Sequence, residues 1–96
     1  MKNNWKPIED RVEYEIELDL NPGKIIISSN RVFEGHGVYN VYYFAELEIY
    51  SKNYDLNNFE DFKDLENIKN YITENMTKIL LIRDKIVEVD NMLCDL

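Results

Sequence analysis

The chain has 96 residues, 45% of them hydrophobic, with three glycines and two prolines, the make-up of a folded globular protein with room for one core. Its 19 acidic against 11 basic residues leave a formal charge of −8, which repels phosphate and anionic lipid and so argues against direct nucleic-acid or membrane binding. No apolar run approaches the ~18 residues needed to span a bilayer. The segment Met1-Lys2-Asn3-Asn4-Trp5-Lys6-Pro7 lacks the apolar stretch of a secretory signal, and Cys94, the single cysteine, has no second thiol to pair with. A cytoplasmic location in a bacterial host cell is expected.

Charge does not divide the chain: residues 1–50 carry nine acids and five bases, residues 51–96 ten and six, so each half nets −4. We expect a single α+β domain over residues 1–96, with residues 1–10 as an extended N-terminal arm. Punctuation is one-sided, since all the glycines and prolines lie at or before Gly37 and later turns fall to Asn, Asp or Ser.

Residues 12–20 alternate strictly, which sets Val12, Tyr14, Ile16, Leu18 and Leu20 on one face of a strand and Glu13, Glu15, Glu17 and Asp19 on the other. Asn21-Pro22-Gly23 reverses the chain into the β-branched run Lys24-Ile25-Ile26-Ile27, and pairing Leu20 with Ile25 makes a hairpin. Gly35-His36-Gly37 reads as a three-residue loop before a third alternating strand over residues 38–50. Parity tests this meander, because a one-residue slip turns every side chain over. Ile25, Ile27 and Phe33 then share a buried face with Tyr39, Val41, Tyr43, Ala45, Leu47 and Ile49.

After a loop over residues 51–57, Asn58 is an N-cap candidate with acids in the turn that follows. Phe62, Leu65, Ile68, Ile72 and Met76 recur at helical spacing and predict one amphipathic helix packed on the sheet. The tail fits two patterns. Lys78–Ile82 and Ile86–Asp90 flank a polar turn as a β-hairpin would, whereas Ile79, Ile82, Ile86, Val89 and Leu93 lie at helical spacing. We take the C-terminal hairpin, with a second helix as the alternative. The expected fold is thus α+β: a three-stranded antiparallel meander, one amphipathic helix and that hairpin.

Catalytic chemistry finds little to work with. His36, the one histidine, sits in a Gly-flanked turn, and Cys94 has no cationic neighbour to lower its pKa, so neither forms part of a nucleophile–base pair. One histidine and one cysteine do not build a zinc site. The segment from Asn53 to Asp64 has oxygen side chains at three calcium-loop positions, but it lacks the central glycine and the closing glutamate, so an Asx-rich turn accounts for it. No phosphate loop or dinucleotide motif is present. We expect no enzyme, no cofactor and no metal.

The outward face is more informative. Glu13, Glu15, Glu17 and Asp19 form a row at ~7 Å steps, and the expected register sets Val32, Asn30, Ser28 and Ile26 opposite them, with no compensating base. Tyr42, Phe44, Glu46 and Glu48 join that face from the third strand, and Trp5 is a further aromatic candidate. A solvated acidic strand face accounts for the charge alone. Aromatics beside it make poor solvated surface and a good interface. In size, acidity and strand–helix economy the chain is similar to small inhibitors carried by phages and mobile elements, anti-CRISPR and anti-restriction proteins among them, and to toxin-neutralising immunity proteins. The acid row beside aromatics points to a non-enzymatic inhibitor docking on a basic, nucleic-acid-binding surface of a partner protein, as that resemblance also implies. The alternative is a homo-oligomeric structural or accessory protein whose outer face pairs with a second copy.

Overall fold

Five antiparallel strands pair in the order in which the chain makes them: β1 (Lys6–Pro7), β2 (Glu15–Asp19), β3 (Lys24–Gly35), β4 (Val38–Ile49) and β5 (Lys52–Asp55). Two helices follow, α1 (Leu65–Glu74) and α2 (Met76–Cys94), so the α+β class and the antiparallel sheet are as expected. These elements come from a computed structural model that describes residues 5–7, 15–57 and 61–96. Val12, Glu13 and Tyr14, expected in the first strand, lie outside the described residues, as does the expected cap Asn58.

The alternation along β2 to β4 does what parity requires. Ile16, Leu18, Ile25, Ile27, Ala45, Leu47 and Ile49 all point to one side and are buried there. The β2–β3 register differs from the expected one by two residues: Leu18 faces Ile25, and Asp19 faces Lys24. The cause is a tighter turn. Leu20 N–H donates to the Gly23 carbonyl at 3.0 Å, so only Asn21 and Pro22, joined by a cis peptide bond, form the loop. A shift of two leaves the buried face unchanged but changes every cross-strand neighbour. At the next reversal His36 and Gly37 alone bridge Gly35 and Val38, both with positive φ, and the extra residue is absorbed as a bulge between Phe33 and Gly35.

The meander has two strands more than the three expected. Tyr50 and Ser51 take positive φ of 50° and 68°, and Lys52–Asp55 folds back along β4 as β5. Neither residue is a usual left-handed turn former, which is why the sequence reads as loop there. The strand edge is then continued by side chain and backbone: buried Asn57 accepts the Ala45 N–H on Oδ1 at 2.9 Å, and the Phe62 carbonyl accepts the Tyr43 N–H at 2.8 Å.

That use of Phe62 delays the helix. α1 starts at Leu65, capped by Asp64, whose Oδ1 accepts the Glu66 N–H at 2.8 Å. Ile68 and Ile72 are fully buried against the sheet, as the stripe predicted, while Phe62 packs its ring on Tyr71 from outside the helix. Asn75 separates the two helices, its Nδ2 donating to the Tyr71 carbonyl at 2.8 Å. The expected C-terminal hairpin is replaced by α2. Arg83-Asp84-Lys85 lacks the glycine that a tight hairpin turn favours, and a helix instead brings Ile79 into the core with Ile86 and Val87 beside it. Arg83 ties α2 to the sheet, donating from Nη1 to the Leu20 carbonyl at 2.7 Å.

Both helices cover only the end of the sheet nearest the β2–β3 turn. The far end of the β3–β4 hairpin projects beyond them, and the molecule reaches 55 Å in its longest direction. Phe33 and Tyr39, expected in the core, therefore stack on each other at 5.0 Å while remaining 58% and 59% exposed. Val41 is exposed for the same reason.

Candidate functional site

The face of the sheet turned away from the helices carries the side chains that parity assigns to it, and the register orders them into rows. Asp19, Lys24, Glu48 and Asn53 lie side by side across four strands. The next row is Lys6, placed by its backbone register alone, then Glu17, Ile26, Glu46 and Asp55; after it come Glu15, Ser28 and Phe44, then Asn30 and Tyr42. Adjacent strands are ~4.8 Å apart, so these carboxylates lie within a Debye length of one another and act on an approaching charge together.

Of the residues expected on this face, Glu17, Glu46 and Glu48 are half-buried and Asp19 is exposed. Phe44 is 40% exposed and Tyr42 half-buried. Glu15 is placed by its backbone register alone, and Glu13 lies outside the described residues. Trp5 does not belong to the face. Lys6 pairs with Glu17, which turns Trp5 to the side of Leu18, and its half-buried ring packs against the core.

The acid row is not free of bases, contrary to the expected register. Lys24 faces Asp19 from the neighbouring strand, and its Nζ lies 3.2 Å from Glu17 Oε2 and 4.0 Å from Glu48 Oε2. One ammonium thus links carboxylates of the two strands flanking its own. Asp55, which sequence reasoning left in a loop, adds a further carboxylate beside Glu46 because β5 exists.

The aromatic end of the face is held in place by charge. Tyr42 Oη donates to Glu34 Oε1 at 2.9 Å, and the Lys63 ammonium lies 5.4 Å from the centre of the Tyr42 ring. The hydroxyl of Tyr42, with help from the Asn40 side chain, holds the Glu34 carboxyl below the usual carboxylate range. The same hydrogen bond pushes the Tyr42 phenol above its ordinary value. Glu34 comes within reach because it occupies the bulge between Phe33 and Gly35, a placement that alternation alone does not foretell.

Among the described residues, no three His, Cys, Asp or Glu side chains gather as a metal site. Asn53 and Asp55 belong to β5 rather than to a loop, His36 is an exposed turn residue, and Cys94 is an exposed thiol at the end of α2. Among these residues no helix is long and apolar enough to cross a membrane. The chain matches no protein-family model, no curated protein and no solved structure.

Proposed function

We propose that the chain is a non-enzymatic, acidic protein-binding module that docks its outer sheet face on a basic surface of a partner protein. The favoured partner is a nucleic-acid-binding enzyme, inhibited as by the small phage, mobile-element and immunity proteins that the chain resembles in bulk properties. One observation carries the reading. Glu15, Glu17, Asp19, Glu46, Glu48 and Asp55 stand at register positions across three strands beside exposed Phe44, six acids against two bases, Lys6 and Lys24, in the same rows. A patch of one sign steers and orients a partner of the other sign, and an aromatic within it supplies the desolvated anchor. Pairing of this face with itself is disfavoured, since a two-fold interface would set acids against acids.

The test uses the full chain, immobilised and exposed to a bacterial lysate. The retained protein should elute as salt is raised and also with heparin, a polyanion that competes for the same basic surface. Glu17→Lys with Glu46→Lys should abolish retention. Retention indifferent to salt and heparin, or surviving the double reversal, refutes the reading.

A further inference from the structure

The flank of α2 turned away from the core is the second exposed surface with a chemistry of its own. Leu81, Ile82, Val89, Met92 and Leu93 lie exposed along it, and Ile82, Val89 and Leu93 also border an open groove of about 310 Å³ shared with Tyr50 and Tyr54. Ile82, Val89 and Leu93 belong to the helical stripe of the tail. Ile79 alone of it is fully in the core, while Val89 and Leu93 are more than half exposed.

Charge along the helix identifies what fits there. Residues 76–86 hold Lys78, Arg83 and Lys85 against Asp84, a net of +2, whereas residues 87–96 hold Glu88, Asp90 and Asp95 with no base, a net of −3. This polarity runs against the helix dipole, which favours acids at the start and bases at the end. The first turn of α2 has no acid and its last turn no base. A second helix laid antiparallel brings a basic half to each acidic half and relieves both conflicts together. No other arrangement of two identical helices does so, because a parallel pair sets like halves side by side.

We propose that α2 is a dimerisation helix, its exposed apolar flank covered by α2 of a second copy of this chain, antiparallel about a two-fold axis that crosses the outward side of the helix at the level of residues 86 and 87. In that register Lys78 lies opposite the partner's Asp95, Lys85 opposite the partner's Glu88, and Leu81 opposite the partner's Met92. Arg83 is already engaged by the Leu20 carbonyl and by Asp84, so the two lysines carry the intersubunit pairing. The interface is isologous and closes at two chains. It leaves the outer sheet face open, so this proposal stands or falls separately from the docking of a basic partner.

Analytical ultracentrifugation of the full chain tests it, because Lys78, Lys85, Glu88 and Asp95 are all exposed and tolerate reversal without loss of the fold. The wild-type chain should sediment at twice the monomer mass. Lys78→Glu with Lys85→Glu, and separately Glu88→Lys with Asp95→Lys, should each weaken self-association about a hundredfold, since like charges then face one another. Mixed in equal amounts, the two variants should recover the dimer as a heterodimer, an outcome that misfolded chains would not give. A wild-type monomer at high micromolar concentration, dimers in both variants alone, or a mixture that stays monomeric overturns the proposal. Cys94 supplies a second readout: the antiparallel register holds the two thiols about 22 Å apart along the axis. Rapid formation of a Cys94 disulfide within the dimer would mean a parallel pair and overturn it equally.

Discussion

The outer sheet face and the outward flank of α2 are both exposed, both part apolar and both charged, yet the charge is arranged in opposite ways. On the sheet, alternation gathers six acids into adjacent rows, and the register sets only two bases, Lys6 and Lys24, among them in the described residues. On the helix, both signs are present but separated along the axis, bases first and acids after. A surface of one sign rejects a copy of itself and fits a partner of the other sign. A surface with two signs in sequence fits its own antiparallel copy. The net charge of −8 distinguishes neither; position does.

Both surfaces depend on one core, so the largest effect on the comparison is to remove that core. Ile72 is fully buried between α1 and the sheet, and Ile72→Ala should cost about 2–5 kcal/mol in urea unfolding, with both surfaces lost together. Gly23 is the joint between them. It has φ of +83°, and a Cβ there would meet the Glu48 carbonyl oxygen at 3.0 Å and Ile49 Cγ1 at 3.1 Å, with Arg83 of α2 next in line. Gly23→Ala should lower stability by about 1–3 kcal/mol, read by thermal unfolding, because strained φ and a backbone contact act together.

Lys24 separates the two surfaces more finely. Its pairs with Glu17 and Glu48 are about a third exposed, so Lys24→Met should shift stability by no more than about 1 kcal/mol. It should nevertheless tighten retention of a basic partner and steepen the salt dependence, while the sedimentation of the free chain stays unchanged. An equal effect on both assays would show that the surfaces are coupled.

What the sequence disclosed follows from which property a turn or a period controls. Parity along residues 15–49 placed Ile16, Ile25 and Leu47 on one side, because facing is insensitive to a shift of two. Neighbours are not insensitive, so the closure of the turn at Leu20 and Gly23 hid Lys24 beside the acid row. Helical spacing disclosed Ile68 and Ile72, but not that Phe62 would be spent on a strand edge and that Asp64 would become the cap. For residues 78–93 the strand and helix patterns share the same apolar positions, and local propensity did not separate them. The decision came from tertiary packing of Ile79 and from Arg83 reaching the Leu20 carbonyl. The aromatics divided in the same way: Tyr42 and Phe44 sit on the acidic face as parity required, whereas Trp5 depended on the pairing of Lys6 with Glu17.

The smallest effect concerns the aromatic end of the acidic face, where pH reports whether Tyr42 is held. Folded Glu34 binds its proton less tightly than the ordinary carboxyl at 4.5, so its contribution is complete above that value and fades as pH falls through the lowered folded pKa. Folded Tyr42 binds its proton more tightly than the ordinary phenol at 10.0, so its contribution is complete below that value and fades as pH rises through the raised folded pKa. Between these limits the hydrogen bond is constant and the ring stays beneath Lys63. Glu34→Gln keeps an acceptor but removes the charge, so the Tyr42 phenol should titrate nearer its ordinary value, read from the ring carbon shift by NMR. Glu34 is exposed and Tyr42 half-buried at the surface, so the change should be plain in the titration while barely visible in unfolding. A Tyr42 titration unmoved by the substitution would mean that the ring is not held by Glu34, and the acidic face would then present Phe44 as its one fixed aromatic.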